Sequence, residues 1–374
     1  GFAVSLMIGI ITSLIAALVI TRLILDYYAN RGNNSLTFGF NWSTTLFDNI
    51  KVKMASRKRA FYIFSGTLTV LSFISFAVFG FKTGVDFDGG RQFVVEFRNA
   101  DGQPAPLSGA EVNTIRTDLT AAFEGNAPVI KTLRSDNQIM VTTSYLVNDR
   151  EATTRVTELL SSGLNKNFKQ YTHKVLSTFD VGPTVASDIR NAAFLSVFFS
   201  LIIIFLYILL RFRKWQFSLG GVLAIFHDVI ITLGVFSFLR QIPGLPFSVE
   251  IDQSIIAALL TIIGYSINDT VVVFDRVREN INEMKTSNLP EIFTVSIDQT
   301  FSRTIITSGA TILSALVLFI FAGDVIRGFV FAILVGIGFG TYSSIFVASA
   351  LALDFMTWGK KDKQEETAET PVKA

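Results

Sequence analysis

The chain has 374 residues, half of them hydrophobic and only 17% charged, and its mean hydropathy is positive. A soluble domain of this length carries more charge, and the absence of cysteine excludes disulfides and thiolate metal sites. The formal net charge of +2 names no partner, and no basic patch with interleaved aromatics points to nucleic acid.

The apolar residues fall into seven blocks, at 2–25, 60–81, 190–210, 216–238, 252–274, 304–322 and 328–356. Each is near the 20 or so residues that a helix needs to cross a hydrocarbon core of roughly 30 Å. The chain opens with Gly1 directly at the first apolar block, with no charged n-region and no small-residue cleavage site, so the block reads as a span and not as a secretory signal. Gly1-Phe2 and Gly9-Ile10 recur as Gly328-Phe329 and Gly336-Ile337. That echo has the form of a parallel transporter repeat, and the chain reads as the C-terminal part of a longer polypeptide.

Short loops rich in lysine and arginine face the cytoplasm. Lys51, Lys53, Arg57, Lys58 and Arg59 precede the second span, and Arg211, Arg213 and Lys214 join the third to the fourth. Arg276, Arg278 and Lys285 follow the fifth, and Lys360, Lys361 and Lys363 follow the last. All four clusters fall on one side if every block spans, which places a linker (29–59), the segment 275–302 and the tail (359–374) inside and the stretch 85–186 outside. The segment 275–302, with Ile281, Met284, Leu289, Ile292, Phe293 and Val295, reads as an interfacial helix. The tail mixes charges without apolar periodicity and is expected to be disordered.

The outer stretch reads as a folded α+β domain. Phe93, Val95 and Phe97 alternate as in a half-buried strand, whereas Val112, Ile115, Leu119 and Phe123 keep helical spacing. Val129–Leu133 and Ile139–Thr143 are strand-like about a polar turn at Ser135-Asp136-Asn137. Val156, Leu159, Leu160 and Leu164 give a second helix, and Val175–Val181 a last strand. The order β-α-β-β-α-β is that of the ferredoxin-like split motif. His173 reads as a surface residue.

Asp269 lies inside the fifth apolar block. A carboxylate at the bilayer centre costs roughly 2.5–3.5 kcal/mol on insertion scales and marks a functional site by default. Ser266, Asp269, Val273 and Arg276 share a helical face flanked by Tyr265 and Asn268. Arg303 opens a stripe with Thr307, Ala310, Thr311 and Ser314 on the sixth span, small and hydroxyl side chains suited to close helix approach. A carboxylate held between burial and a nearby arginine can load and release a proton near neutral pH. Arg303 is expected to approach Asp269 in one conformation and to part from it in another, although an arginine at a helix end is also an ordinary snorkelling anchor. His227 and Asp228, on a stripe with Gly220, Gly221, Ala224 and Thr232, fit a proton relay or an interhelical hydrogen bond equally. Asp86 and Asp88 beside Gly89-Gly90 read as a tight turn at the membrane surface, with no metal implied.

These residues resemble the SecF family. The resemblance rests on Val85-Asp86-Phe87-Asp88-Gly89-Gly90, on the run from Gly264 to Asn280 that contains Ser266-Ile267-Asn268-Asp269-Thr270, and on Arg303-Thr304-Ile305-Ile306-Thr307-Ser308. Residues 1–28 resemble the last helix of SecD, so the chain is similar to the tail of a fused SecD–SecF protein. The family's organisation implies a first SecF-like span at 60–84, the external domain at 85–186 and a five-helix bundle at 187–358, of the kind found in resistance-nodulation-type transporters.

The resemblance implies an accessory of the Sec translocon that uses the proton-motive force to pull secreted chains outward. The implied partners are a SecD-like half in the same polypeptide, SecYEG, YajC, YidC, an unfolded secretory polypeptide and the lipid bilayer. No cofactor is implied, protons being the coupling ion. It gives proton-pathway roles to positions matching Asp269 and Arg303, and Ser266, Asn268, Asp228 and His227 join them as candidates. Asp86, Asp88, Gly89 and Gly90 would form the hinge of the external domain. A substrate:proton antiporter and a non-conducting translocon scaffold are the alternatives. No phosphate-binding loop, nucleophile elbow or His-Glu-x-x-His motif supports an enzyme.

Overall fold

A computed structural model describes residues 2–30, 52, 54–133, 137–168, 170–242, 245, 247–284 and 286–368. The chain divides into two units, Gly1–Lys51 and Val52–Ala374. Among the described residues, seven helices are long and apolar enough to cross a membrane, at Met7–Asn30, Met54–Phe79, Pro183–Phe212, Trp215–Leu239, Gln253–Glu283, Leu289–Phe321 and Ile326–Trp358. Each overlaps one of the apolar blocks.

The first unit is one apolar rod. Helix α1 (Phe2–Ile15) passes through a π segment (Ala16–Ile20) into α2 (Thr21–Asn30). Most of the linker expected at 29–59, including Lys51 and Lys53, lies outside the described residues, as does Gly1 of the glycine echo. Where description resumes, α3 (Met54–Phe79) already contains Arg57, Lys58 and Arg59, so those cations belong to a helix and not to a linker.

In the second unit, α3 leads to the single turn α4 (Val85–Asp88) and then to the extramembrane domain. That domain consists of β1 (Gly90–Asn99), α5 (Gly109–Ala122), β2 (Val129–Thr132), β3 (Gln138–Thr143), α6 (Thr153–Asn167) and β4 (Tyr171–Val181). The strands form one antiparallel sheet in the order β2-β3-β1-β4, the ferredoxin-like arrangement expected from the element order. Phe93, Val95 and Phe97 of β1 are fully buried against Ile115, Leu119, Val156 and Leu160 of the two helices. Period-2 burial on the strand thus meets period-3.6 burial on the helices.

Two local readings of this domain change. Strand β4 starts at Tyr171, earlier than the apolar alternation indicates, because its first residues pair with Phe97, Arg98 and Asn99 at the outer end of β1. His173 is half-buried, its ring 6.4 Å from that of Phe97, and this burial lowers its pKa. Of the polar turn, Ser135 and Asp136 lie outside the described residues.

The bundle continues with α7 (Pro183–Phe212), α8 (Trp215–Leu239), α9 (Gln253–Glu283), α10 (Leu289–Phe321) and α11 (Asp324–Ser343). A second π segment (Ser344–Ala348) then leads into α12 (Ser349–Ala368). Pro183 opens α7, where its missing N–H costs nothing, and Arg213 in the left-handed conformation closes it. Helix α8 is central: 61% of its most apolar stretch is buried, against 6% for α7. Small residues permit the contact, since a Cβ on Gly234 would lie 2.5 Å from Ser72 Cβ of α3 and one on Gly220 3.0 Å from Ala348 O.

The interfacial helix expected at 275–302 is not formed as a separate element. Helix α9 continues to Glu283 and α10 begins at Leu289, so the two spans extend past the bilayer length and pack on each other. Ile292, Phe293 and Ile297 are buried in one cluster with Phe212, Phe217 and Phe274. Their apolar face is taken up by protein and is not left for a membrane surface. Asn280 Nδ2 donates to Ser296 Oγ at 2.8 Å and fastens the two extensions. Lys285 lies outside the described residues. Of the tail expected at 359–374, residues 359–368 continue α12, and 369–374 lie outside the described residues.

Candidate functional site

Four helices, α8 to α11, enclose two carboxylates. Asp269 lies near the middle of α9 and is 4% exposed. Ser308 Oγ on α10 donates to Asp269 Oδ2 at 3.0 Å. Asp228 on α8 is fully buried. Its Oδ2 accepts from Ser266 Oγ of α9 at 2.8 Å and from Ser343 Oγ of α11 at 2.7 Å. Its Oδ1 lies 3.0 Å from His227 Nδ1, while His227 Nε2 is buried with no hydrogen-bond partner.

Helix α9 separates the two carboxylate sites. Ser266 and Asp269 are three residues apart, so their side chains diverge by about 60° around the helix. Ser266 turns to Asp228 on one side and Asp269 to Ser308 on the other. Close packing holds the first of these contacts: a Cβ on Gly340 of α11 would lie 3.3 Å from Ser266 Cβ and 3.6 Å from Asp228 Oδ2. The π segment of the last span starts directly after Ser343. Such segments occur often at functional sites, where they re-aim side chains along a helix.

Not every expected residue joins this network. Asn268 points away from the bundle and is exposed; it faces neither Asp269 nor Asp228. Arg303 is exposed as well, and it forms no ion pair with Asp269, although its charge is near enough to act on that carboxylate. The stripe Arg303, Thr307, Ala310 and Ser314 lies on the outer face of α10. The face turned to the bundle is the neighbouring one, with Thr300, Thr304, Ser308 and Ala315 buried. Thr307, Thr311 and Ser314 satisfy their hydroxyls on carbonyls one turn back. Tyr265 reaches α10 by another route, its hydroxyl 3.3 Å from Thr311 Oγ1.

Sequence reasoning missed Ser308, Ser343 and Gly340 as parts of the site. Ser308 falls in the segment Arg303–Ser308 that carried the resemblance, but spacing counted from Arg303 selects the wrong face. For Ser343 a signal existed, since Thr341, Ser343 and Ser344 cluster in the middle of a largely apolar span.

Asp86, Asp88, Gly89 and Gly90 form a packed corner. Asp86 Oδ2 accepts from Gln253 N at 3.1 Å, and Asp88 accepts from the Thr83 hydroxyl. Gly89 and Gly90 both have positive φ, and a Cβ on Gly90 would lie 2.6 Å from Thr143 O. Only glycine fits such a backbone approach.

Helices of this length and apolarity, closed around hydroxyl-bound carboxylates and bearing one ferredoxin-like domain at one end, define a polytopic α-helical membrane protein. Residues 161–358 match the family described as protein export membrane protein SecD/SecF, C-terminal. The chain is 44% identical to the protein translocase subunit SecF of Rhodothermus marinus, over 83% of its own length and 94% of that protein. It is 34% identical to the SecDF subunit of Brucella abortus, over 95% of its length but 44% of that protein. The crystal structure of SecDF from Thermus thermophilus, a translocon-associated membrane protein, superposes with a TM-score of 0.75 at 32% identity, covering 96% of this chain and 45% of that one. The chain therefore belongs to the SecD/SecF family of protein-export membrane proteins, and it spans about half the length of the SecDF proteins it matches.

Proposed function

We propose that this chain is the SecF-like part of an accessory to the Sec translocase, and that it couples proton entry to the outward movement of secreted polypeptides. The names of its relatives support the translocase role, and none of those relatives is a named hydrolase. Their fused forms support a SecD-like half in the same polypeptide, with SecYEG as the translocon. The basic clusters at the bundle end opposite the extramembrane domain favour a cytoplasmic membrane orientation with that domain outside.

The observation that carries the proton reading is the contact between Asp269 and Ser308. An arginine partner would hold the carboxylate ionised, whereas a serine hydroxyl donates to the anion and accepts from the acid. The contact therefore survives both protonation states, as a proton carrier requires. Arg303, near but unpaired, supplies a charge that can close on the anion or withdraw. One proton crossing supplies roughly 2.3 kcal/mol per 100 mV, enough to bias a two-state helix packing in repeated cycles. A shift of α9 would pass to α8 and α11 through Ser266, Asp228 and Ser343, and from the same helix to the extramembrane domain.

The test is completion of secretory-precursor translocation into vesicles holding the full-length protein and the translocon, with and without a proton gradient. Asp269→Asn is expected to abolish the gradient-dependent step at unchanged protein level. An equal benefit from the gradient in the variant would refute the proton role and favour a scaffold. Gradient-driven efflux of a dye by the purified protein would favour an antiporter.

A further inference from the structure

Beneath the extramembrane domain lies a group of charges that the proton site does not use. Glu250, just before α9, is 6% exposed. Lys131 on the edge strand β2 puts its Nζ 3.5 Å from Glu250 Oε2 and 3.9 Å from Asp252 Oδ2, and its side chain is 11% exposed. Lys82 Nζ lies 3.2 Å from Glu250 Oε1. Asp252 caps α9 by accepting from Ile255 N at 3.1 Å. Through Lys131 the domain thus reaches the first turn of the helix that carries Asp269, while its strand β2 also packs against α11.

Further hydrogen bonds at this junction come from the lead-in to the domain. Ile251 N donates to Lys82 O at 2.8 Å, Gly84 N to Ile251 O at 2.9 Å, and Gln253 N to Asp86 Oδ2 at 3.1 Å. Together they bind residues 82–86 to the start of α9 whether or not Lys131 is seated. Within the domain, Arg91 is 1% exposed and donates to Asp180, Thr153 and the carbonyls of Tyr145, Leu146 and Asp149. Sheet, loop and helix α6 are therefore tied into one body.

We propose that Lys131, Glu250 and Asp252 form a releasable latch between the extramembrane domain and α9, with residues 82–86 as the pivot. Removing the partner of a buried charge is ordinarily costly because the charge left behind is uncompensated. Here Glu250 keeps Lys82 when Lys131 leaves, and Asp252 keeps its cap contacts. Lys131 carries a compact charge on a flexible stem that water can solvate on release. The latch rests on the proton-coupled reading above, for which it supplies the step between α9 and the domain.

The latch is tested in the full-length protein in membranes, with spin labels at Glu158→Cys on α6 and Gln241→Cys after α8. This chain contributes no other cysteine. The parent and Lys131→Arg are expected to give one short distance, and Lys131→Met a second, longer one. A single unchanged distance in Lys131→Met overturns the latch. Bridging Lys131→Cys to Glu250→Cys with a reducible bis-thiol reagent is expected to stop gradient-driven export, with recovery on reduction; undiminished export in the bridged protein overturns the release. A longer distance in Lys131→Met combined with export that never responds to the gradient leaves the latch standing and overturns the proton-driven reading.

Discussion

Ser308 and Asp269 join α10 to α9 through a single hydroxyl–carboxylate hydrogen bond of 3.0 Å inside the membrane bundle. Arg303, about one and a half turns before Ser308 on the same helix, remains outside that contact. A neutral partner in contact and a cation nearby make this pair the natural place to perturb.

Ser308→Ala removes the donor and leaves the carboxylate in place. A hydrogen bond to a charged group contributes about 1.5–3 kcal/mol, so the gradient-dependent rate of precursor translocation is expected to fall at least about tenfold. Ser308→Thr restores the hydroxyl and should recover most of that rate in the same vesicle assay.

Asp228 gathers Ser266, Ser343 and His227 from three helices. Asp228→Ala strands Ser266 and His227 in an apolar interior, while the Ser343 hydroxyl keeps the Gly340 carbonyl, and each buried unsatisfied group costs about 1–3 kcal/mol. A marked drop in the thermal unfolding temperature in detergent is expected. Asp228→Asn keeps an acceptor oxygen and should recover much of that stability. If Asp228→Asn is as stable as the parent but loses gradient-dependent export, the carboxylate also serves as a relay.

Gly234 lets α8 touch α3, where a Cβ would sit 2.9 Å from the backbone Cα of Ser72. Gly234→Ala must push the helices apart, an overpacking that costs about 1–3 kcal/mol. Adding Ser72→Gly removes the opposing side chain and is expected to return part of the lost unfolding temperature.

In the extramembrane domain, Ser108 and Glu111 form a capping box at the start of α5. The Ser108 backbone N–H donates to Glu111 at 2.7 Å, the Ser108 hydroxyl at 2.8 Å and the Tyr171 hydroxyl at 2.9 Å. These bonds, the backbone one foremost, hold the Glu111 carboxyl below its ordinary pKa. The stabilisation is complete above the unfolded value of about 4.3 and is lost as pH falls through the lower folded value. Protection factors of the α5 amides, taken relative to the intrinsic exchange rate at each pH, should therefore fall on acidification in the wild type, and less steeply in Glu111→Gln. Ser108→Ala should cost about 0.5–2 kcal/mol of local stability at neutral pH.

Residue pattern alone gave the spans, the order of strands and helices in the extramembrane domain, and Asp269 as the residue to examine. Those features depend on local composition: a run of about 20 apolar side chains must leave water, and a carboxylate within it is conspicuous. The segment 275–302 shows where this logic stops. Ile292 and Phe293 make an apolar face whether a membrane surface or the Phe212–Phe217–Phe274 cluster covers it. The pattern is the same in either case.

What the sequence determined by itself was therefore the class of the protein, its family and the presence of an intramembrane acid. Which hydroxyl meets which carboxylate was decided by the tertiary structure. Neighbouring helical faces differ by a single residue step of about 100°, and the stripes through Arg303 and through Thr304 and Ser308 look equally polar along the chain. Only the packing of α10 on α9, with α11 close enough at Gly340 to bring Ser343 onto Asp228, selects between them. That choice depends on contacts between helices far apart in sequence, and no local pattern carries it.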